Sequence, residues 1–267
     1  MHGTLAAITI FPVKSTAGLA LDRALVEPRG LAHDRRWMVV DDGGRFITGR
    51  QVPALVLIAA APRDGGIVLS APGQPPLHVP APTAGAARRP VVVWKDTVDA
   101  VSAGDAASAW LRVVLGRSAH LVAMDAAAHR TVDRGYAQQD DEVSFADGFP
   151  LLLVGQASLD ALNARLAQAV PMARFRPNLV VAGGAPHAED GWRRVRVGAV
   201  AFDVVKPCTR CVFTTVDPQH GTFDPSGEPL QTLKTYRRTP AGVTFGMNLI
   251  ARGTGAVAVG DPVAVLA

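Results

Sequence analysis

Cysteine is scarce: the 267 residues contain two, Cys208 and Cys211. Two thiols make no disulfide framework, and no second Cys pair or compact His pair completes a structural zinc site. Long apolar runs are missing too. The longest, residues 54–61, falls far short of the roughly 18 residues of a bilayer span, so no membrane helix is expected. The opening MHGTLAAITIFPVK has no basic region ahead of an apolar stretch and no small-residue cleavage site, so the expectation is a cytoplasmic protein without a secretory leader. Aromatics are only 6% and basic residues never form a block, which argues against nucleic acid as a partner. The motifs G-x-G-x-x-G, G-x-x-x-x-G-K-[ST] and G-x-S-x-G are absent, removing the usual nucleotide and esterase signals. The His residues are scattered, with no H-x-x-x-H spacing for a metal.

What is present is the composition of a folded, mostly β protein. Hydrophobic residues make up 48% and charged residues 19%, and the length suits one large domain or two modest ones. A net charge of +4 and a pI near 9.5 arise from arginines spread along the chain, a mild excess that suits an anionic small ligand. The first hundred residues hold the β-type runs LAAITIFPV, RRWMVVDDGGRFIT, LVLIAAAP, GGIVLSAP and RPVVVW, and read as a barrel or sandwich. Asp41-Asp42-Gly43-Gly44 predicts a hairpin turn, because Gly supplies the positive φ that tight turns need. Residues 80–90, rich in Ala and Pro, predict a surface loop. One helix is expected over 105–115, with Asp105 as N-cap, an apolar stripe of Trp110, Leu111 and Val114, and Gly116 as its stop. A second should run from an N-cap at Ser158 through Leu159, Leu162, Leu166 and Val170 to Pro171. After it NLVVAGG, RVRVGAVAFDVV, CVFTTVD, VTFGMNLIA and AVAVGDPVAVLA predict strands, with a turn at Gly198-Ala199. The expected class is mostly β with some helices (α+β), in two halves meeting near residue 120.

Chemistry concentrates around VVKPCTRCVFTTVDP. In a thioredoxin-like site the Cys-x-x-Cys would open a helix, whereas a β-branched segment follows here. Two inert thiols are one reading. The other is a functional thiolate, favoured by the cations Lys206 and Arg210 and suited to a soft metal. Lys14-Ser15 follows a strand, and is either a solvated strand end or an ammonium and hydroxyl presented to a phosphate. Arg35, Arg50, Arg174 and Arg176 also fall near strand ends, where guanidinium groups bind phosphate or carboxylate, or nothing. Asp147 precedes the apolar run LLLVG and is either a turn residue or a carboxylate held at the edge of the core. Glu189-Asp190 reads as a capping or loop feature without a catalytic role.

Taken in order, FPVKSTAG (11–18), DRRW (34–37), TGRQVPALVLI (48–58), FADGFPLLLVGQASLDALNARL (145–166), RFRPNLVV (174–181), VVKPCTRCVFTTVDP (204–218), EPLQTLKTYR (228–237) and VGDPV (259–263) resemble the MOSC family in its two-part form, on the amidoxime-reducing branch. The resemblance runs nearly end to end. It implies an N-terminal β-barrel domain over 1–118 packed on a MOSC β-barrel domain over 119–267, with a molybdenum–molybdopterin cofactor between them. It implies that Cys211, not Cys208, ligates the metal. Lys14, Ser15 and Arg35 from the first half, and Arg176, Asn178, Thr209 and Arg210 from the second, would bind pterin and phosphate, and Asp147 would be a catalytic carboxylate near the metal. The implied activity is reduction of N-hydroxylated compounds (amidoximes, hydroxamic acids, N-hydroxylated bases). With no spare Cys for an iron–sulfur cluster, electrons would come from a separate ferredoxin, flavin reductase or cytochrome-type protein. The alternative implied by the same family is a cofactor carrier or persulfide-transfer protein. Thr16 departs from the Cys found in many relatives.

Overall fold

The apolar alternation at the two ends of the chain is used in a single barrel. In the computed structural model, which describes residues 2–83 and 85–267, the strand His2–Ile10 pairs with Leu179–Ala182 on one side and Pro262–Val265 on the other. The order continues through Arg194–Val197, Val200–Thr209 and Gly242–Ala251 to Leu151–Gly155, which returns to Leu179–Ala182 and closes seven strands. Only that last pairing is parallel among the seven. Alternation sorts the side chains: in Arg194–Val197 the two valines point inward and the two arginines outward. The interior holds Leu5, Ile8, Leu153, Leu179, Phe202 and Leu249, each no more than 1% exposed.

The other half is built from two smaller sheets. One orders Trp37–Val40, His120–Ala123, Asp96–Ser102 and Arg88–Val93, and the other is the meander Ala59–Arg63, Gly66–Ala71, Gln74–Pro80. Helix Asp105–Leu115 covers them, burying Trp110 and Leu111 against Ile58, Leu69 and Leu121. Gly116 ends the helix in the left-handed region, φ 64°, with its N–H on the Arg112 carbonyl at 3.0 Å. The α+β, mostly β class expected from sequence is the one found, with three α-helices among the described residues. Among the described residues no helix is long and apolar enough to cross a membrane.

Local expectations fail where side chains compete with the backbone. Asp105 lies inside the first turn without a capping bond. The second helix spans Gln156–Asn163 and stops well before Val170, because Asn163 accepts the Val170 N–H at 2.9 Å and donates to its carbonyl at 3.1 Å. Leu166 and Val170 still pack on the apolar cluster below, from irregular chain. Ser158 is not a cap but sits within the helix, its hydroxyl 2.7 Å from Glu189 Oε1. Residues 53–57 form a 3-10 turn begun by Pro53, and the strand starts only at Ala59. The CVFTTVD segment is likewise a 3-10 turn, Val212–Thr215: the hydroxyls of Thr214 and Thr215 donate to the carbonyls of Cys211 (2.9 Å) and Val212 (2.8 Å). The turns at Gly44 (φ 77°) and Gly198 (φ 56°) form where the glycines stand.

Candidate functional site

Several segments meet at one cleft that is partly open to solvent, among them the turn bearing Arg35 and the loop bearing Thr48 and Arg50. The others are the turn after the first strand, the loop ahead of Leu151–Gly155, the lead-in to Leu179–Ala182, and the end of Val200–Thr209 with the 3-10 turn that follows. The register of Val200–Thr209 against Gly242–Ala251 shifts twice, between Val204 and Lys206 and between Pro207 and Thr209. Such bulges bend a strand end, here carrying Cys208 to Cys211 into the cleft. Lys14, Ser15, Arg35 and Asp147 line it from one side, and Arg176, Asn178, Thr209, Arg210 and Cys211 from the other. All the residues singled out by the resemblance are therefore together. Thr16 is not in the lining; it is fully buried and donates to the Val13 carbonyl at 2.9 Å.

Lys14 is 5% exposed, and its Nζ donates to Asp147 Oδ1 at 2.5 Å and to the Phe145 carbonyl at 2.7 Å. Burial pushes the ammonium down to about 8, against the opposing pull of Asp147. The Asp147 side chain is exposed at the mouth of the cleft, and Lys14, Arg50 and Arg35 outweigh any desolvation and hold its carboxyl well below the usual carboxylate range. Trp94 Nε1 adds a donor to the same oxygen at 3.3 Å. The loop bearing Asp147 is anchored from beneath by Arg130, 6% exposed, which donates to the carbonyls of Ser144, Ala146 and Asp147 at 3.0, 2.5 and 2.8 Å.

Arg35 is set by a buried pair. Asp34, fully buried, accepts the Phe11 N–H and Arg35 Nη1, both at 2.7 Å. Arg35 also donates to Asn178 Oδ1 at 3.0 Å, and Asn178 in turn accepts the Leu152 N–H and donates to the Thr9 carbonyl, both at 3.1 Å. Asn178 thus joins the halves and spends its amide oxygen on the protein.

The other guanidinium groups are held by main-chain carbonyls, with Arg174 Nη2 also facing Asp217 at 3.7 Å and Asp224 at 3.9 Å, and each keeps one nitrogen unpartnered. Arg174 donates to the Thr215 carbonyl, Arg176 to that of Thr16 and Arg210 to that of Phe175, each at 2.6 Å. Arg174 Nε, Arg176 Nη2 and Arg210 Nε are buried with no partner. Burial and the nearby Arg35 work against the Arg176 charge, yet a guanidinium stays protonated at neutral pH. Buried donors without acceptors cost about 1–3 kcal/mol each, so this cleft suits an anion with several acceptor oxygens.

The two thiols have different neighbours. Arg210 Nη1 is 2.8 Å from Cys208 Sγ, while Arg50 Nη1 is 3.9 Å from Cys211 Sγ. The cation beside Cys211 is therefore Arg50, not the adjacent Arg210. Among the described residues no three His, Cys, Asp or Glu side chains gather as a metal cage. A metal at Cys211 would owe its other ligands to a non-protein group, and an anionic ligand with acceptor oxygens fits the unpartnered guanidinium N–H groups. Strain clusters here too: of six non-glycine residues with positive φ among the described residues, Ser15, Arg35, Trp94 and Arg176 line this cleft or the one beside it. Sequence reasoning noted Arg50 and Arg174 as strand-end arginines, either anion-binding or idle, and missed Arg130 and Trp94. Positive φ at Trp94 has no sequence signature, and the contacts of Arg130 reach loops remote in sequence. Glu189 and Asp190 lie elsewhere, bonded to Ser158 and Arg237.

Comparison with known proteins agrees with this architecture. Residues 2–118 match the MOSC N-terminal beta barrel domain and residues 140–264 the MOSC domain. The chain is 34% identical to mitochondrial amidoxime-reducing component 1 of Mus musculus, over 99% of its own length and 82% of that protein. It is 36% identical to component 2 of Rattus norvegicus (98% and 82%) and 33% identical to component 1 of Homo sapiens (99% and 83%).

Proposed function

Because the chain belongs to the MOSC family, in the two-domain form of the amidoxime-reducing components, we propose that it is an oxidoreductase that reduces N-hydroxylated compounds in this cleft with a molybdenum–molybdopterin cofactor. The observation that carries the reading is the set of buried, unpartnered guanidinium N–H groups around a cleft that holds a thiol beside Arg50. Arg174, Arg176 and Arg210 would grip the phosphate, with Lys14 adding charge and the Ser15 and Thr209 hydroxyls adding donors. Arg35, oriented by Asp34 and Asn178, would close the same ring of charge. Cys211 would be the single protein ligand to the metal.

The bound cofactor would supply the two-electron step. In the net reaction the N–O bond breaks, two electrons and two protons are taken up, and the oxygen leaves as water. The electrons come from a separate electron-transfer protein. Asp147 is ionised at neutral pH, so it accepts hydrogen bonds from the N–OH or amine of a substrate and orients it rather than donating a proton. Lys14, with its ammonium near 8, is the group in the cleft that can release a proton at Nζ close to neutral pH.

The test is molybdenum content by elemental analysis and fluorescent pterin detection after expression with molybdate. Near-stoichiometric metal in wild type, lost in Cys211→Ala and retained in Cys208→Ser with amidoxime reduction, supports the reading. The reverse ranking of the cysteines overturns the ligand assignment. A second reading, cofactor carriage or persulfide transfer, draws on Cys208, whose sulfur lies against a guanidinium. Tight cofactor binding without turnover of any N-hydroxylated compound, and sulfur transfer lost in Cys208→Ser, would favour it.

A further inference from the structure

A second cleft shares a wall with the first, since Thr48, Arg50, Asp147, Gly148 and Phe149 line both. Its charge is lopsided. Asp147 is paired with Lys14, and Asp96 with Arg130 at 2.8 Å, which leaves Asp133 facing Arg45, Arg50, Lys95, Arg134 and Lys206. None of those five cations makes an ion pair among the described residues. An apolar surface sits among them: the Trp94 indole, 38% exposed, carries the Arg50 guanidinium at 4.3 Å from its ring centre.

Trp94 is placed there against local preference. Asp96 pairs with Val93, so Trp94-Lys95 is a two-residue hairpin loop, and Trp94 has φ 57°. A positive φ at the first position of such a loop ordinarily selects Gly, and a bulky aromatic there is strained. Residues that break a local backbone rule gather at binding sites. Phe46, at 5.1 Å from Trp94, backs the indole, and Trp94 Nε1 reaches Asp147.

We infer that this second cleft is a substrate-recognition subsite for flat aromatic compounds that carry an anionic substituent, which it presents to Asp147 and the first cleft. The ring lies against Trp94 and Phe149, and the carboxylate or phosphate of the substrate meets Lys95, Arg134 and Arg45 at the rim. The inference rests on the reductase reading for the identity of the reacting group, but its binding test does not.

The full chain is titrated calorimetrically, without reductant, with benzamidoxime and with 4-carboxybenzamidoxime. At low salt the carboxylated compound should bind about five- to tenfold tighter, an advantage built from several exposed ion pairs that shrinks as salt rises. Lys95→Glu combined with Arg134→Glu, both at exposed positions, should abolish the preference while leaving benzamidoxime binding unchanged. Trp94→Gly, which suits the turn backbone and so keeps the fold, should weaken both compounds about fivefold. Equal or weaker binding of the carboxylated compound, or a preference that survives the charge reversals, would overturn the subsite. If the preference is present but reduced, molybdenum-loaded protein converts neither compound, the reductase reading fails and the subsite stands. If both are converted with equal affinity, the subsite alone fails.

Discussion

Asp34→Asn is the substitution whose consequence can be worked through most fully. The side chain is fully buried; one oxygen accepts the Phe11 N–H and the other Arg35 Nη1, each at 2.7 Å. Asparagine keeps the shape and an acceptor for Phe11, but removes the charge facing a guanidinium that is 13% exposed. Breaking a buried pair from one side costs about 3–5 kcal/mol, because the remaining charge has no counter-ion. Arg35 retains the Asn178 oxygen at 3.0 Å, so the lower end, about 3 kcal/mol, is expected. Arg35→Met should cost a similar amount by stranding the Asp34 carboxylate. The double variant has neither charge, and its loss should fall about 2–3 kcal/mol short of the sum of the two. Urea unfolding of the three variants and wild type at pH 7, with a common slope, measures this. A loss under about 1 kcal/mol for Asp34→Asn, or an additive double variant, would refute the claim that the pair is a buried, coupled unit.

Gly49 packs under the Phe213 ring, where an added Cβ would lie 2.2 Å from Cε2. Gly49→Ala should destabilise by about 1–3 kcal/mol and disturb the turn after Cys211, seen as a lower thermal midpoint and a changed reaction rate of that thiol with an alkylating reagent. Lys14 has a folded-state value near 8, below its ordinary 10.5, so the unfolded chain binds more protons between these pH values and Lys14 makes stability rise with pH across that window. Wild type should gain roughly 1–2 kcal/mol on Lys14→Met between pH 7.5 and 9.5, read by urea denaturation at each pH; no gain would show that the ammonium is not desolvated. Over the same window the grip on an anion should weaken as Lys14 loses its charge, measured as phosphate affinity by titration.

Much of the fold was legible because its signals are local. Alternation at period two separates Val195 and Val197 from Arg194 and Arg196 whatever lies elsewhere, and glycines at 44, 116 and 198 supply the backbone the turns require. Two misread segments share a cause: Asn163, Thr214 and Thr215 bond to nearby backbone and divert chain whose apolar pattern says helix or strand, while Pro53 opens the turn at 53–57.

For the site, the sequence alone determined which chemistry is available: two adjacent thiols, a lysine, a run of arginines near strand ends and a carboxylate before an apolar strand. Which of them meet was decided by closure of the barrel, which brings the first strand between the strands at 179–182 and 262–265. Only the tertiary structure selects Arg50 as the cation beside Cys211, leaves one nitrogen each of Arg174, Arg176 and Arg210 without a partner, and puts Trp94 at the shared wall of two clefts. The physical reason is that a guanidinium is satisfied or left open by carbonyls remote in sequence, and its solvation depends on walls contributed by both halves of the chain.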